Sequence, residues 1–276
     1  MKIVFWSCTP GQSKVTSSMV ACSTMASMCY GYNSAVLQTQ YRNNNLQNCF
    51  IDPYAMKQTD LNSDVYQDLG LDALLRNVVA GSTSVEQLSA CACSFIKQRL
   101  NVYLQTNSNN RGAYYQDLQD RLSAVMTNVD LAFDLTFVDT LAGATELSRK
   151  VMEEADLIVV CIPQSKFVID SLFDRYRIDA SNVFYLFGDY DDKQRLNIKT
   201  LQKMYKKTFN AENTAYILHN SGFADAINTS KVIPFFAANK KCTKKDVNYD
   251  FITSVDNALV KILKYAGVRL NAKDGE

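Results

Sequence analysis

Short, continuous apolar runs recur along the chain, and they have the character of strands that are buried on both faces of a parallel sheet. The five strongest runs are KIVFWS (2–7), AVLQTQ (35–40), DLTFVDT (134–140), DLIVVCIP (156–163) and NVFYLFGD (182–189). Two weaker candidates are NVYLQT (101–106) and TAYILHN (214–220). The runs at 2–7, 134–140 and 156–163 are the most continuously apolar, so we predict that they form the centre of the sheet.

The segments between these runs carry apolar residues at helical spacing. They predict helices over residues 15–30, 83–99, 114–128, 144–154, 166–176 and 195–208. A last helix is predicted near the C-terminus, where Gly267 stands at the expected stop; its apolar positions are Phe251, Val255, Leu259, Ile262 and Leu263.

Strands that alternate with helices predict an α/β fold of three layers, in which helices cover both faces of a mainly parallel sheet. The chain shows no internal repeat and no low-complexity linker, so we expect a single domain over residues 1–276. Residues 41–82 are polar and irregular, and we expect them to include a surface-exposed segment.

The charges are balanced, with 29 Lys and Arg against 28 Asp and Glu, which gives a net charge of +1. This balance gives no whole-chain reason to expect DNA or an acidic membrane as partner. The one dense basic stretch, NKKCTKK (239–245), is predicted to be a solvated loop. No apolar segment approaches the roughly 18 residues of a membrane span, and no secretory signal is evident, so a cytoplasmic protein is expected.

The eight cysteines are irregularly spaced, and there is a single histidine. Neither a disulfide framework nor the ligand spacing of a zinc finger is indicated. We therefore expect reduced cysteines that pack as small apolar residues.

The stretch SCTPGQSKVTSSMVACSTMAS (7–27) follows the first apolar run and turns into a helix-like segment. This layout resembles a phosphate-binding loop, whose backbone N–H groups and helix dipole face an anion. The residues of the candidate nucleotide site are Gly11, Gln12, Ser13, Lys14, Val15, Thr16 and Ser17.

Several segments resemble the MinD/ParA family of P-loop ATPases, in particular its pilus-assembly and secretion-associated bacterial branch. They are FWSCTPGQSKVTSSMVA (5–21), NNNLQ (43–47), LGLDALLR (69–76), FDLTFVDTLAG (133–143), ADLIVVCIPQS (155–165) and LHNSGFADAINTSKVIPFF (218–236). Their order and spacing, over nearly the whole chain, carry the resemblance, which implies a P-loop NTPase-like fold, ATP or ADP, and Mg²⁺.

The resemblance places Gly11 at the first glycine of the loop, but the loop departs from the family pattern at three positions. Lys14 replaces the second glycine, Val15 replaces the phosphate-binding lysine, and Pro10 replaces the signature lysine. The Walker A motif is therefore degenerate in its charged groups.

Outside the loop, the resemblance implies that Thr16 and Asp139 hold Mg²⁺. Gln38 and Gln40 stand where the family has two aspartates, and Gln40 is at the position that orients the attacking water. Gly188 replaces the adenine-facing asparagine.

Plainer interpretations of the same residues remain open. Thr16 and Ser17 are also suited to capping a helix start, and Asp139 to capping the turn after its strand. His219 is suited either to general base catalysis or to an ordinary loop. Three nearby carboxylates are suited to an acidic loop or a metal cluster, and they belong to Asp189, Asp191 and Asp192.

Two functions remain open at this stage. The first is a nucleotide-sensing or non-hydrolysing scaffold, a pseudo-ATPase that works with a pilus, secretion, conjugation or partition assembly. The second is an active, ATP-hydrolysing MinD/ParA-type ATPase. The lost charges favour weak or absent hydrolysis. The resemblance implies protein partners, either a second copy of the chain or a secretion or pilus ATPase; the short polar end VRLNAKDGE (268–276) does not indicate a membrane-binding helix.

Overall fold

The computed structural model describes residues 1–42, 45–53, 69–79, 84–176, 178 and 182–273. These residues form an eight-stranded sheet in the order β3-β4-β2-β5-β1-β6-β7-β8. All neighbouring strands are parallel except β3 and β4. The strands are β1 (Lys2–Trp6), β2 (Ser34–Gln38), β3 (Cys93–Phe95), β4 (Leu100–Val102), β5 (Leu135–Asp139), β6 (Leu157–Ile162), β7 (Val183–Tyr190) and β8 (Thr214–Leu218).

The three strands predicted to be central are central. β1 lies between β5 and β6, with parallel pairing on both sides. Successive side chains of a strand point to opposite faces, and both faces of β1 are buried: Ile3 and Phe5 contribute to one apolar cluster, and Val4 and Trp6 to two others. Burial on both faces explains why these runs are continuously apolar.

Helices cover both faces of the sheet, so the predicted three-layer α/β fold is confirmed. The helices are α1 (Val15–Cys29), α2 (Asn45–Asn48), α3 (Gly70–Val79), α4 (Val85–Ala90), α5 (Arg111–Ala132), α6 (Glu146–Glu153), α7 (Lys166–Arg175), α8 (Ile198–Met204), α9 (Ser221–Asn228), α10 (Val232–Asn239) and α11 (Tyr249–Tyr265). One face is covered by α1, α9, α10 and α11, and the other by α3 to α8. Among the described helices, none combines the length and apolar character needed to cross a bilayer.

The predicted helix over residues 83–99 is wrong beyond Ala90. Residues Cys93–Phe95 instead form β3, which pairs antiparallel with β4. The reversal between these strands passes through three left-handed residues, Ile96, Lys97 and Gln98, with φ of 54°, 54° and 66°. Left-handed turns usually contain glycine or asparagine, and their absence here left the sequence without a turn signal.

The expectation of a polar, irregular segment over residues 41–82 is wrong for part of it. α3 lies in this segment, and its residues Leu71, Leu74 and Leu75 are buried beside α5. The parts at 43–44, 54–68 and 80–82 lie outside the described residues.

The eight cysteines are thiols, and most of them pack in the interior as predicted. The buried ones are Cys8, Cys22, Cys49, Cys91 and Cys161. Burial raises the pKa of the Cys22 thiol to about 12, which keeps it protonated and unreactive.

Candidate nucleotide-binding site

The loop that connects β1 to α1 lies at the carboxyl end of the central strands, and its own side chains hold its shape. Ser13 is buried and accepts a hydrogen bond of 2.7 Å from the Ser7 hydroxyl. The Ser7 oxygen in turn accepts from the backbone N–H of Thr9 at 3.2 Å. Lys14 caps α1 in a left-handed conformation (φ 52°), and its carbonyl accepts from the Ser18 N–H at 2.9 Å.

A cavity of about 720 Å³ opens in front of this loop. Six of the seven predicted site residues line it, namely Gly11, Ser13, Lys14, Val15, Thr16 and Ser17. Gln12 is exposed and is not among the lining residues. Gln40 also lines the cavity. Among the described lining residues, Lys14 is the only one with a charged side chain.

The opposite wall of the cavity comes from elements that sequence reasoning did not assign to the site. Asn48 and Cys49 lie at the end of α2, and Ala224 and Ile227 belong to α9. The segment LHNSGFADAINTSKVIPFF carried part of the family resemblance, but its charged residues, Asp225 and Lys231, do not line the cavity. Small and apolar residues here leave room for a ligand without contributing charge.

Thr16 lines the cavity and contacts Asp139, which is not itself among the lining residues. The Thr16 hydroxyl donates a 2.5 Å hydrogen bond to Oδ2 of Asp139. Asp139 is fully buried, and its Oδ1 has no hydrogen-bond partner among the described residues. Burial raises the pKa of this carboxyl group to about 7, and the hydrogen bond from Thr16 opposes the increase. A hydroxyl and a carboxylate with an unpartnered oxygen are donors that suit Mg²⁺.

Gln38 is a buried neighbour of this carboxylate. Its Nε2 lies 3.4 Å from Oδ2 of Asp139, and its Oε1 accepts a 2.8 Å hydrogen bond from Nε2 of Gln105. A second carboxylate at position 38 would place two negative charges close together in a buried environment, which is costly. The amide of Gln38 avoids this repulsion. The sequence analysis did not predict Gln105 as a site residue, because the pattern of residues around it contains no signal for a buried polar contact.

Val15 is half-buried and packs against the large apolar cluster beneath α1. Its side chain is apolar, so it contributes no charge to the loop. The ammonium group of Lys14 lies near the end of β7, where its Nζ is 3.8 Å from Oδ2 of Asp189. Asp189 follows Gly188 at the end of β7 and has a positive φ of 55°.

Gly188 is pressed against the loop. A Cβ at this position would lie 2.7 Å from the Ser18 hydroxyl oxygen and 3.1 Å from the Ser13 carbonyl oxygen. Such distances require the loop or α1 to move, so β7 and the loop can approach this closely only with glycine at position 188. The position that the family resemblance assigned to an adenine-facing asparagine therefore serves here as a packing contact.

His219 does not line the cavity. Its Nδ1 lies 2.8 Å from Oδ1 of Asp189, so the ring sits beside a carboxylate rather than alone in a loop. Asp191 accepts a hydrogen bond from the backbone N–H of Lys193 at 2.9 Å. Within the described part of the chain, no three His, Cys, Asp or Glu residues are placed to hold a metal ion.

Comparison with solved structures identifies the fold. The chain is similar to a ParA family ATPase from Chlorobium tepidum TLS, with a TM-score of 0.68 and 10% identity over 94% of this chain and 98% of that one. It is also similar to the septum site-determining protein MinD from Pyrococcus horikoshii OT3 complexed with Mg-ADP (TM-score 0.61, 11% identity, 97% and 98% covered). A third similar structure is a chain of the MinC:MinD cell division protein complex from Aquifex aeolicus (TM-score 0.58, 13% identity, 99% and 98% covered).

These similarities show that the chain has the P-loop α/β fold of the ParA and MinD ATPases. The sequence itself matches no family model and no curated protein. At such low identity the likeness concerns the fold, and function has to be argued from the site.

Proposed function

We propose that this chain binds a nucleotide in the cavity before α1, hydrolyses it weakly or not at all, and works as a nucleotide-sensing or non-hydrolysing scaffold. The observation that carries the proposal is a cavity of about 720 Å³ at the β1–α1 loop, in which Lys14 is the one charged lining residue among those described. The volume suits a nucleotide, while the charge is too small for efficient phosphoryl transfer.

Binding is supported by the loop and by the Thr16–Asp139 pair. Backbone N–H groups at the start of α1 and the positive end of its dipole favour a phosphate group. Thr16 and Asp139 would hold Mg²⁺, which neutralises phosphate charge when bound. Asp139 would then ionise, because a cation next to a buried carboxylate favours its charged form.

Weak turnover is supported by the neutral side chains at two positions of the cavity. Val15 cannot stabilise negative charge on a transferring phosphoryl group, and the amide of Gln40 cannot act as an ionised carboxylate. Removal of one preorganised donor to a transition-state charge costs about 2.7–4 kcal/mol, or a hundredfold or more in rate. Losses within one catalytic unit do not add, so even one accounts for a low rate.

A scaffold needs partners, and the fold suggests their class. The Aquifex aeolicus relative is a MinC:MinD complex, which supports a protein partner for this chain as well. We therefore propose a single cytoplasmic domain that acts with a second copy of itself or with a component of a pilus, secretion, conjugation or partition assembly.

The test is a calorimetric titration of the full chain with ATP, with and without Mg²⁺. We expect binding that Mg²⁺ strengthens, and a loss of this strengthening in Thr16→Ala. The matched control is Thr253→Ala in α11, whose residue is half-buried and does not line the cavity. Absence of ATP binding under both conditions would contradict the proposal.

An active ATPase is the second candidate. Two observations favour it: the Thr16–Asp139 pair is formed, and Gln40 lines the cavity, where a glutamine can orient water as in some GTPases. A phosphate-release assay separates the two candidates. Release at an ordinary ATPase rate that is lost in Thr16→Ala would identify the enzyme and exclude the scaffold.

A further inference from the structure

Lys14 lies between two adjoining cavities. It lines the cavity of about 720 Å³ in front of the loop, and it also lines a small adjoining cavity of about 60 Å³ that contains Asp189. Ser17, Ala224 and Ile227 line both cavities, so the two are contiguous. The carboxylate of Asp189 on one side and a ligand phosphate on the other would therefore both attract this ammonium group.

The Asp189 carboxylate is held in place from both directions. Its Oδ1 lies 2.8 Å from Nδ1 of His219, and its Oδ2 lies 3.8 Å from Nζ of Lys14. The backbone on either side is anchored, because Gly188 packs against the loop and the N–H of His219 donates to the Tyr190 carbonyl at 2.9 Å. A left-handed φ of 55° and a bulge in β7 set the direction of the side chain.

We propose that the Asp189 carboxylate competes with a phosphate-bearing ligand for the ammonium group of Lys14, which lines the nucleotide cavity. This inference rests on the proposed function, since the competing ligand is the nucleotide of that site. Asp189 is thus a positioning residue that lowers the affinity of the site for anions.

His219 is the second neighbour of this carboxylate. Its Nδ1 contacts Oδ1, whereas Lys14 approaches Oδ2, so the contact with His219 can hold the Asp189 side chain in place when Lys14 moves to a phosphate.

In the described part of the chain, the side chains that contact the Asp189 carboxylate in this way are those of Lys14 and His219. The next carboxylates on the same segment are Asp191, which accepts from the Lys193 N–H, and Asp192, which is exposed. The Asp192 carboxylate therefore offers a control for a change in local charge without a change in the Lys14 pair.

The size of the effect follows from the exposure of the pair. The side chains of Lys14 and Asp189 are 51% and 42% exposed, so their ion pair is weakened by solvent. An exposed pair of this kind corresponds to a change of about twofold to fivefold in affinity.

The experiment is a double-mutant cycle on the full chain, with binding of Mg-ATP and of inorganic pyrophosphate measured by calorimetry. Asp189→Asn is expected to bind both probes about twofold to fivefold more tightly, and Asp192→Asn to bind them like the wild type. In the Lys14→Gln background, Asp189→Asn is expected to have no further effect. An equal gain from Asp189→Asn with and without Lys14, or an equal gain from Asp192→Asn, overturns the competition.

The two proposals fail in different ways. If the wild type binds nucleotide but the cycle shows no coupling between Asp189 and Lys14, the competition for Lys14 is overturned and the nucleotide site still stands. Absence of binding in all variants overturns the nucleotide site and the competition together.

Discussion

Replacement of Asp139 by asparagine should make the stability of the protein less dependent on pH. Asp139 is fully buried, and its one short hydrogen bond comes from Thr16, while Oδ1 has no partner among the described residues. An uncompensated buried carboxylate is destabilising when ionised. Asparagine has nearly the same shape and carries no charge.

The magnitude follows from the pKa of the group. Burial raises the pKa of Asp139 from an ordinary 3.8 to about 7 in the folded chain. The folded state therefore binds the proton more tightly than the unfolded state, and the stability contributed by this group decreases as the pH rises from about 4 to about 7. Each unit of pKa difference corresponds to 1.36 kcal/mol, so the full destabilisation above pH 7 is roughly 4 kcal/mol, of which roughly 2–3 kcal/mol develops between pH 5 and pH 8.

The assay is urea unfolding of the ligand-free wild type and of Asp139→Asn at pH 5 and at pH 8, without Mg²⁺. The free energy of unfolding of the variant, relative to the wild type, should increase by roughly 2–3 kcal/mol between the two pH values. The cost of the new, buried amide N–H does not depend on pH and cancels in this comparison. Asp192→Asn, which removes an exposed carboxylate, should show no such increase. An equal pH dependence in wild type and Asp139→Asn would refute the reasoning.

Three further predictions concern the loop. Gly188→Ala should lower the free energy of unfolding by about 1–3 kcal/mol, because the new Cβ would meet Ser13 and Ser18. Gly112→Ala in α5, where the nearest atom to the new Cβ is 3.5 Å away, should not lower it. Denaturant unfolding of both variants tests this prediction. Lys14→Gly should raise the free energy of unfolding by about 1 kcal/mol, since glycine adopts φ 52° without strain. The same variant should bind ATP more weakly in calorimetry. A variant that is more stable and binds ATP equally well would contradict the role of Lys14 in binding. Val15→Lys should tighten Mg-ATP binding about tenfold or more by restoring a phosphate-binding cation, and unchanged affinity in a folded variant would show that the ligand does not sit on this loop.

Much of the fold could be predicted because burial on both faces leaves a clear pattern in the sequence. The apolar runs of β5, β1 and β6 identified the centre of the sheet. The failure at residues 93–99 has a physical cause, since pairing of β3 with β4 stabilises a strand that local periodicity does not distinguish from a helix.

Less of the candidate site could be predicted. The loop was marked by its position between a strand and a helix, and Thr16 and Asp139 do come together. The contact of Asp189 with Lys14 and His219 joins three segments that are distant in sequence, and no local pattern relates them. Gln105 and the wall formed by α9 are likewise products of the tertiary fold.

On the proposed function, the cavity holds ATP and leaves it intact. The most direct measurement is to incubate the full chain with radiolabelled Mg-ATP, isolate the protein from free nucleotide after a fixed time, and identify the nucleotide that remains bound. We expect ATP to be recovered from the wild type, with no accumulation of ADP, and much less nucleotide from Thr16→Ala. Recovery of ADP as the main bound species, or of no nucleotide at all, would contradict the account.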